Sequence, residues 1–521
     1  MSAETEVPQT EVAPIHSKRE VVQAMWGLML GMFVSILAST IVSNALPRIV
    51  AELKGSQSIF AWIVTTELLA MTATVPLWGK LADLYNRKLL IQVSLSLFVV
   101  GSLIAGFSQN IEMLIVSRVV QGLGAGGVTA LATVVMAAMI PPRELGKYSG
   151  MFGAVFGVGT VAGPLIGGLL VDTSWLGWRW CFFIGIPFTI AAIYLLQRTL
   201  HLPVVQKRET KIDYLGAFLI VSGVSTLLIW SSLAGQKFDW WSGWTAGLVS
   251  LGVLLLVAAV RVEATAHDPI VPLSIFRNRT VALATVASAL VGVAMFGGTV
   301  FLSQYFQLAL GKTPTQAGLL GLPLIFGLLV SSTVAGQLIT KYGKWKAFLV
   351  AGGVVMVGGM LLLSTITSQT TVFMVSVDMF VLGVGVGLMM QNLVLAAQND
   401  VPAKDLGATT STLTFFRSLG GAIGVSALGA VLASKVSSLA AEKFGPMGGT
   451  DGEAKVPDLS VLPPEIKAVI ADIYATATAE LFLVGAPFAV LALLAVLFIK
   501  EKPLKEQSGD DRLAAEMAAG H

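Results

Sequence analysis

The sequence predicts an all-α polytopic membrane protein that crosses the bilayer about fourteen times, and three observations carry that prediction. Of 521 residues, 55% are hydrophobic and only 12% are charged, whereas an ordinary soluble domain carries about 25% charged residues. The mean hydropathy is +0.81. Apolar runs long enough to span a bilayer, about 20 residues each, recur almost end to end with short polar breaks between them. The same composition excludes other classes. Net charge is +3, and the basic residues fall in short clusters rather than one stripe, so nucleic acid is not an expected partner. Cys181 is the single cysteine, so no intrachain disulfide forms, and His16, His201, His267 and His521 are too scattered to set a metal site. No phosphate-binding G-x-x-x-x-G-K-[ST] loop occurs and no soluble domain is large enough for an ATPase, so no cofactor, no metal and no enzymatic activity are expected.

Taken in order, Met1 to Glu20 form a polar stretch with Pro8 and Pro14 and no apolar core, unlike a cleavable signal peptide. Length and hydropathy place helices near 23–46, 59–79, 89–108, 112–138, 145–171, 178–199 and 214–234. Seven more fall near 242–262, 280–306, 315–339, 347–366, 371–396, 406–434 and 475–499. An even number puts both termini on one side. One alternating set of loops carries Lys18/Arg19, Arg87/Lys88, Arg143/Lys147, Lys207/Arg208/Lys211, Arg277/Arg279 and Lys341/Lys344/Lys346. By the positive-inside rule these loops face the cytoplasm, with both termini, in a cell inner (cytoplasmic) membrane. The opposite loops are mostly short, apart from an outward excursion over about 436–474. Trp175, Trp178, Trp180, Trp240, Trp241 and Trp244 cluster near outer helix ends, where an aromatic belt anchors a protein against membrane lipids.

Internal repetition refines the architecture. The loop Gly79-Lys80-Leu81-Ala82-Asp83-Leu84-Tyr85-Asn86-Arg87-Lys88 has a degenerate echo in Gly336-Gln337-Leu338-Ile339-Thr340-Lys341-Tyr342-Gly343-Lys344-Trp345-Lys346. Each ends the second helix of a six-helix set, as in duplicated transporters. The expected layout is a cytoplasmic disordered tail at 1–21, an N-terminal six-helix bundle at 22–200 and two inserted linker helices at 201–265. A C-terminal six-helix bundle with the outer loop follows at 266–500, then a cytoplasmic tail at 501–521.

With these motifs the chain resembles the major facilitator superfamily, and within it the fourteen-helix drug:proton antiporters, from about residue 22 to about residue 500. The first loop is similar to the family's G-x-L-a-D-r-x-G-R-K pattern, which implies a conformational gate built on Gly79, Asp83, Arg87 and Lys88. Asn86 replaces the second glycine, and asparagine tolerates the left-handed backbone that the turn is expected to need. Arg118-Val119-Val120-Gln121-Gly122-Leu123-Gly124-Ala125 resembles the R-x-x-q-G-x-g-a element of the fourth helix and puts a permanent charge inside the membrane. Gly157 to Gly168 resembles the G-x-x-x-G-P-x-x-G-G antiporter element. Its Gly159, Gly163, Pro164, Gly167 and Gly168 are expected to make a hinge and packing seam. Leu37 to Pro47 is similar to L-D-x-T-I-V-N-x-A-L-P, with Ala38 in place of the usual aspartate. The family's membrane-embedded carboxylate is therefore missing from the first helix.

Carboxylates that could replace it are few. Glu67 lies about 12 Å below the outer end of the second helix, counted at about 1.5 Å per residue, and Asp378 about 10 Å below the outer end of the twelfth. Arg118 and Ala38 reach a similar depth. Proton coupling is therefore expected from Glu67, exchanging Arg118 for a proton or a cationic substrate, with Asp378 a further candidate. Gln304, Gln307, Gln391 and Asn392 are cavity candidates, although buried amides as often bond between helices. The Arg417 to Gly424 segment is expected to pack closely. Trp26, Met29, Met32, Phe33, Met295, Phe296, Met389 and Met390 supply deformable apolar surface of the kind that suits lipophilic cations. The resemblance implies secondary active efflux of amphipathic or cationic drugs in exchange for protons. Export of a lipid or amphipathic metabolite is the alternative, and a non-transporting membrane sensor a more distant one.

Overall fold

The computed structural model describes residues 18–53, 57–173, 176–200, 213–234, 238–239, 241–266, 269–444 and 463–519. Their regular elements are helices. α1 (Lys18–Glu52), α2 (Gln57–Leu84), α3 (Arg87–Gly106), α4 (Ile111–Met139) and α5 (Pro142–Asp172) come first. α6 (Trp180–Phe183) and α7 (Gly185–Thr199) make one interrupted crossing, followed by α8 (Tyr214–Leu233) and α9 (Gly243–Thr265). Then come α10 (Arg279–Leu308), the interrupted pair α11 (Pro314–Leu320) and α12 (Leu322–Tyr342), α13 (Lys346–Leu363) and α14 (Val372–Asp400). α15 (Leu406–Phe444), α16 (Pro464–Leu497) and α17 (Gly509–Ala519) complete the chain. Twelve described stretches are long and apolar enough to cross a membrane. α2 and α5, at 28 and 31 residues, also have the length of a crossing and pack among those twelve.

Local chemistry sets the helix starts. Asn110, Asp213, Ser242, Asn278 and Thr371 each cap a helix by accepting a first-turn N–H on the side chain, and Thr313 with Gln316 forms a full capping box at α11. Gly343, at φ 71°, ends α12 in the left-handed conformation that glycine adopts without a Cβ penalty. Asn86 corrects the expectation made for it. Its backbone is extended (φ −61°, ψ 110°), and its side chain accepts from Lys88 N–H and Leu89 N–H. The residue serves as a helix cap, not as a left-handed turn.

α1, α2, α3, α4, α5 and α7 pack on one another, as do α10, α12, α13, α14, α15 and α16. The two sets meet where α5 lies on α12 and α2 on α15, while the α8–α9 pair leans on both α2 and α15. Close approach depends on small residues: a Cβ on Gly124 would strike the backbone of α3 at Ser94 and Phe98. α9 is the least buried of the twelve described spans, with 11% of its apolar window buried.

Two polar regions carry structure. Inside the predicted outward excursion over 436–474, α15 continues to Phe444 and α16 begins at Pro464. Lys435–Glu480 (2.6 Å) and Lys443–Asp472 ion pairs tie these extensions together. Of the loop between them, residues 445–462 lie outside the described residues, as do Met1 to Ser17 and most of the 201–213 connection. The segment after α16 is built into the fold: Glu501 accepts from Trp345 N–H and Lys346 N–H, Asn399 brackets Pro503 and Lys505, and Arg512 reaches the carbonyls of Gln398 and Val401. Among the tryptophans, Trp241 is fully exposed and Trp244 and Trp180 are largely so, as an anchoring belt requires. Trp178 is not. It is 1% exposed, donates its indole N–H to Glu52 and stacks under Arg179 at 4.4 Å. Burial with a polar partner makes it a core residue. Trp175 and Trp240 lie outside the described residues.

Candidate functional site

Inside the N-terminal set, α2 and α4 bring Glu67 and Arg118 into a buried ion pair through Glu67 Oε2 and Arg118 Nη2. The residues are 4% and 1% exposed. Removing two charges from water costs several kcal/mol each, roughly, unless every donor and acceptor is met, and here the shell is nearly complete. Arg118 Nε donates to the Ile63 carbonyl (3.2 Å) and Nη1 to Gln121 Oε1 (2.6 Å), while the guanidinium lies 5.9 Å from the Phe182 ring centroid. Gln121 in turn donates to Ser102 Oγ on α3 (2.9 Å). The second carboxylate oxygen, Oε1, accepts from Ser39 Oγ on α1 (3.1 Å). Gly122 lets the helices close to this distance, since a Cβ there would strike the Glu67 carbonyl. One carboxylate thus ties α1, α2 and α4, and through Gln121 also α3.

Ala38, which stands where the family carries aspartate, is 6% exposed and packs with Val34, Phe98 and Ala125. The polar contact to Glu67 from this turn of α1 is made by its neighbour Ser39. Ser39, Gln121, Ser102 and Phe182 were not among the predicted site residues. A serine, an amide and a phenylalanine carry no signal of their own in an apolar run, and only Gln121, one turn from Arg118, could have been read from spacing.

The antiporter segment lies against the same helix. Thr40 Oγ1 donates to the Gly159 carbonyl (3.1 Å), a Cβ on Gly159 would press on Ile36, and one on Gly163 would collide with Thr40. Gly157 faces the other set, against Ile325 of α12. Gly167 is buried, and the side-chain surroundings of Pro164 and Gly168 lie outside the described residues. Glycines of α5 therefore touch both sets, as do those of α15, where Gly407 meets Asp83 and Gly420 meets Ala289.

The predicted gate residues sit at the basic-loop end. Asp83 places both carboxylate oxygens on the N-terminus of α15, accepting from Gly407 N–H (3.0 Å) and Ala408 N–H (2.8 Å). This is a charged cap supplied from the opposite set of helices. Gly79 fits beside Ser411 and the Gly407 carbonyl with no room for a side chain. Arg87 bonds the Ala82 carbonyl and pairs with Asp510 of α17 at 2.9 Å, and Lys88 Nζ bonds the Gln197 carbonyl at the end of α7. Arg143 pairs with Glu506 nearby. Asp510 lies in a polar tail that neither a motif nor hydropathy marks as part of the site.

The remaining candidates stay apart from this network. Asp378 on α14 is buried at 3% exposure. Gln307 Nε2 donates to the carbonyl and the hydroxyl of Ser303, and Asn392 Nδ2 donates to the Leu388 carbonyl, each on its own helix. Gln304 and Gln391 are half-buried. Met29, Met295 and Met389 are core residues, whereas Trp26 is 60% exposed.

Known proteins agree with this architecture. The sequence profile described as Major Facilitator Superfamily matches residues 28–425. The chain is 37% identical over 489 residues to an uncharacterized MFS-type transporter of Mycobacterium tuberculosis strain H37Rv, covering 93% of this chain and 70% of the relative. It is 35% identical to the multidrug transporter protein MdtP of Bacillus subtilis strain 168 (81% of this chain, 77% of the relative) and 31% identical to multidrug resistance protein 3 of the same organism (92% and 95%). The crystal structure of the human organic anion transporter MFSD10 (TETRAN) matches the fold with a TM-score of 0.58 at 14% identity, covering 90% of this chain and 99% of that one. The chain is a multi-pass membrane protein that belongs to the Major Facilitator Superfamily of transporters.

Proposed function

We propose that this transporter is a secondary active exporter that trades amphipathic or cationic drugs for protons by alternating access. Its basic loops and both termini face the cytoplasm of a cell inner membrane. The observation that supports this reading is the buried Glu67–Arg118 pair, tied by Ser39 to the turn of α1 that lacks the aspartate. Two B. subtilis relatives named for multidrug transport or resistance point to the same substrate class.

In the state described here Glu67 is a pure acceptor, taking Arg118 on one oxygen and Ser39 on the other. A proton delivered to Glu67 converts the ion pair into a weaker neutral–cation contact. Arg118 then rests on Gln121, the Ile63 carbonyl and the Phe182 face. A lipophilic cation arriving at the site competes with Arg118 for the carboxylate and disfavours the proton, which is the antagonism an antiporter requires. Gly79, Asp83, Arg87 and Lys88 act as the cytoplasmic gate, and the Gly159–Gly163 seam on α1 is the surface along which α5 adjusts. Gln304, Gln307, Gln391 and Asn392 are the amides proposed to line the cavity.

The test is substrate-induced proton release from energised inverted vesicles containing the protein, with a panel of lipophilic cations, neutral drugs and lipids. Dequenching by several cations supports the reading. A response confined to lipids would replace it with lipid export by the same fold.

A further inference from the structure

The inserted α8–α9 pair holds a second cluster of charge at its basic-loop end. Asp213 caps α8, its Oδ1 accepting from Gly216 N–H at 2.7 Å. Glu263, near the end of α9 and 4% exposed, accepts on Oε2 from Val271 N–H at 3.0 Å. That leaves one oxygen on each carboxyl group, Asp213 Oδ2 and Glu263 Oε1, and both are buried with no hydrogen-bond partner among the described residues. The two orphans converge over Gly216: a methyl group on that residue would strike both of them. From α2, Lys80, 8% exposed, acts on Glu263 electrostatically. From the segment after α9 come the backbone N–H groups of Ile270 and Val271, and from α8 Asp213 itself.

Two ionised carboxylates whose remaining oxygens point at each other in a buried space repel strongly, and among the described residues neither oxygen has a donor to offset its lost hydration. One proton between them removes the repulsion and supplies the missing hydrogen bond to both. The remaining single negative charge then matches the single positive charge of Lys80. We propose that Asp213 and Glu263 form a proton-binding site that holds one shared proton, with Lys80 as its counter-charge. The ligand is the proton itself. This site is separate from Glu67 and does not rest on the drug-efflux reading.

The site gives the two inserted helices a role in the transport cycle. Lys80 lies in the gate loop, three residues before Asp83, on the helix that also carries Glu67. Any movement of α2 that takes Lys80 away from Glu263 raises the affinity of the pair for its proton, and an approach lowers it. Because the coupling is reciprocal, loss of the shared proton favours the arrangement of α2 that keeps Lys80 close.

The experiment is infrared difference spectroscopy of the full chain in lipid nanodiscs, reading the C=O stretch of protonated carboxyl groups at neutral pH. Glu263→Gln, Asp213→Asn and Glu67→Gln are compared with the unmodified chain. Asp213→Asn keeps an oxygen to cap Gly216 N–H and so preserves the fold if Glu263→Gln does not. The expected result is one protonated carboxyl per chain that disappears in either pair variant, persists in Glu67→Gln and titrates away at higher pH. Spectra unchanged by both pair variants would mean that both groups are ionised, and would overturn the proposal. So would the absence of any protonated carboxyl from the pair in sodium-free buffer, with carboxylate bands that shift when sodium is added at constant pH, which would assign the cleft to a metal cation.

Discussion

Replacing Asp83 with asparagine should open the basic-loop end of the protein. The carboxylate accepts two hydrogen bonds from the first turn of α15, across the boundary between the two helix sets. Asparagine offers one acceptor oxygen and turns an amide toward the other N–H. One charge-assisted hydrogen bond, about 1.5–3 kcal/mol, is lost, together with a charge–dipole term of about 0.3–1 kcal/mol. Water reaching the opened end offsets part of this, leaving about 2 kcal/mol, or roughly a 30-fold change in the closed-to-open ratio. A gate closed 99:1 would become closed roughly 3:1. The readout is a distance distribution between spin labels at Leu89 and Lys404, both exposed and placed on opposite sets. Cys181, the only native thiol and buried, is replaced beforehand. Asp83→Asn should show a second, longer-distance population that is minor in the parent. Identical distributions in a folded variant would show that the Asp83 cap does not hold the gate.

Gly79→Ala should move the same population in the same direction, because its methyl group meets Ser411 and the Gly407 carbonyl; unchanged label distances would count against the close α2–α15 fit. Asp510→Asn removes the charged partner of Arg87, whose side chain is 11% exposed, and should lower the thermal midpoint and speed proteolysis after Lys500, with a stability loss of about 1.5–3 kcal/mol for the lost charge-assisted hydrogen bond; equal proteolysis rates would mean that α17 is held by other contacts. Gly163→Ala drives a methyl group into Thr40, and overpacking of this kind costs about 1–3 kcal/mol. Transport should fall more than the amount of folded protein does, and a parallel decline would reduce the seam to a purely structural role.

Much of this architecture is legible in the sequence because hydropathy reports directly on the apolar middle of each crossing. The predicted 112–138 and 280–306 spans differ from α4 and α10 by no more than two residues at any end. The misses lie where helices leave the hydrocarbon. α15 and α16 extend as polar helices stabilised by Lys435–Glu480 and Lys443–Asp472, and a hydropathy window cannot distinguish these from loop. Depth counting placed Glu67 and Arg118 at one level, since 1.5 Å per residue is a fixed property of helices. It said nothing about facing, so the hydroxyl of Ser39 and the amide of Gln121 had to come from tertiary packing. Asn86 shows the limit of motif substitution. The sequence suggested a glycine mimic, whereas the local hydrogen bonds to Lys88 and Leu89 make it a cap. Asp510 and Glu506 became visible only because the tail folds back onto Arg87 and Arg143.

The central claim is that Glu67 carries the coupled proton, and it is tested most directly by comparing two modes of transport in Glu67→Gln proteoliposomes. Glutamine retains an oxygen for Arg118 or Ser39 but cannot ionise, so substrate–substrate exchange across the membrane should persist while accumulation driven by a pH gradient is lost. A folded Glu67→Gln protein that still concentrates substrate against its gradient, with the same proton release as the parent, would contradict the account.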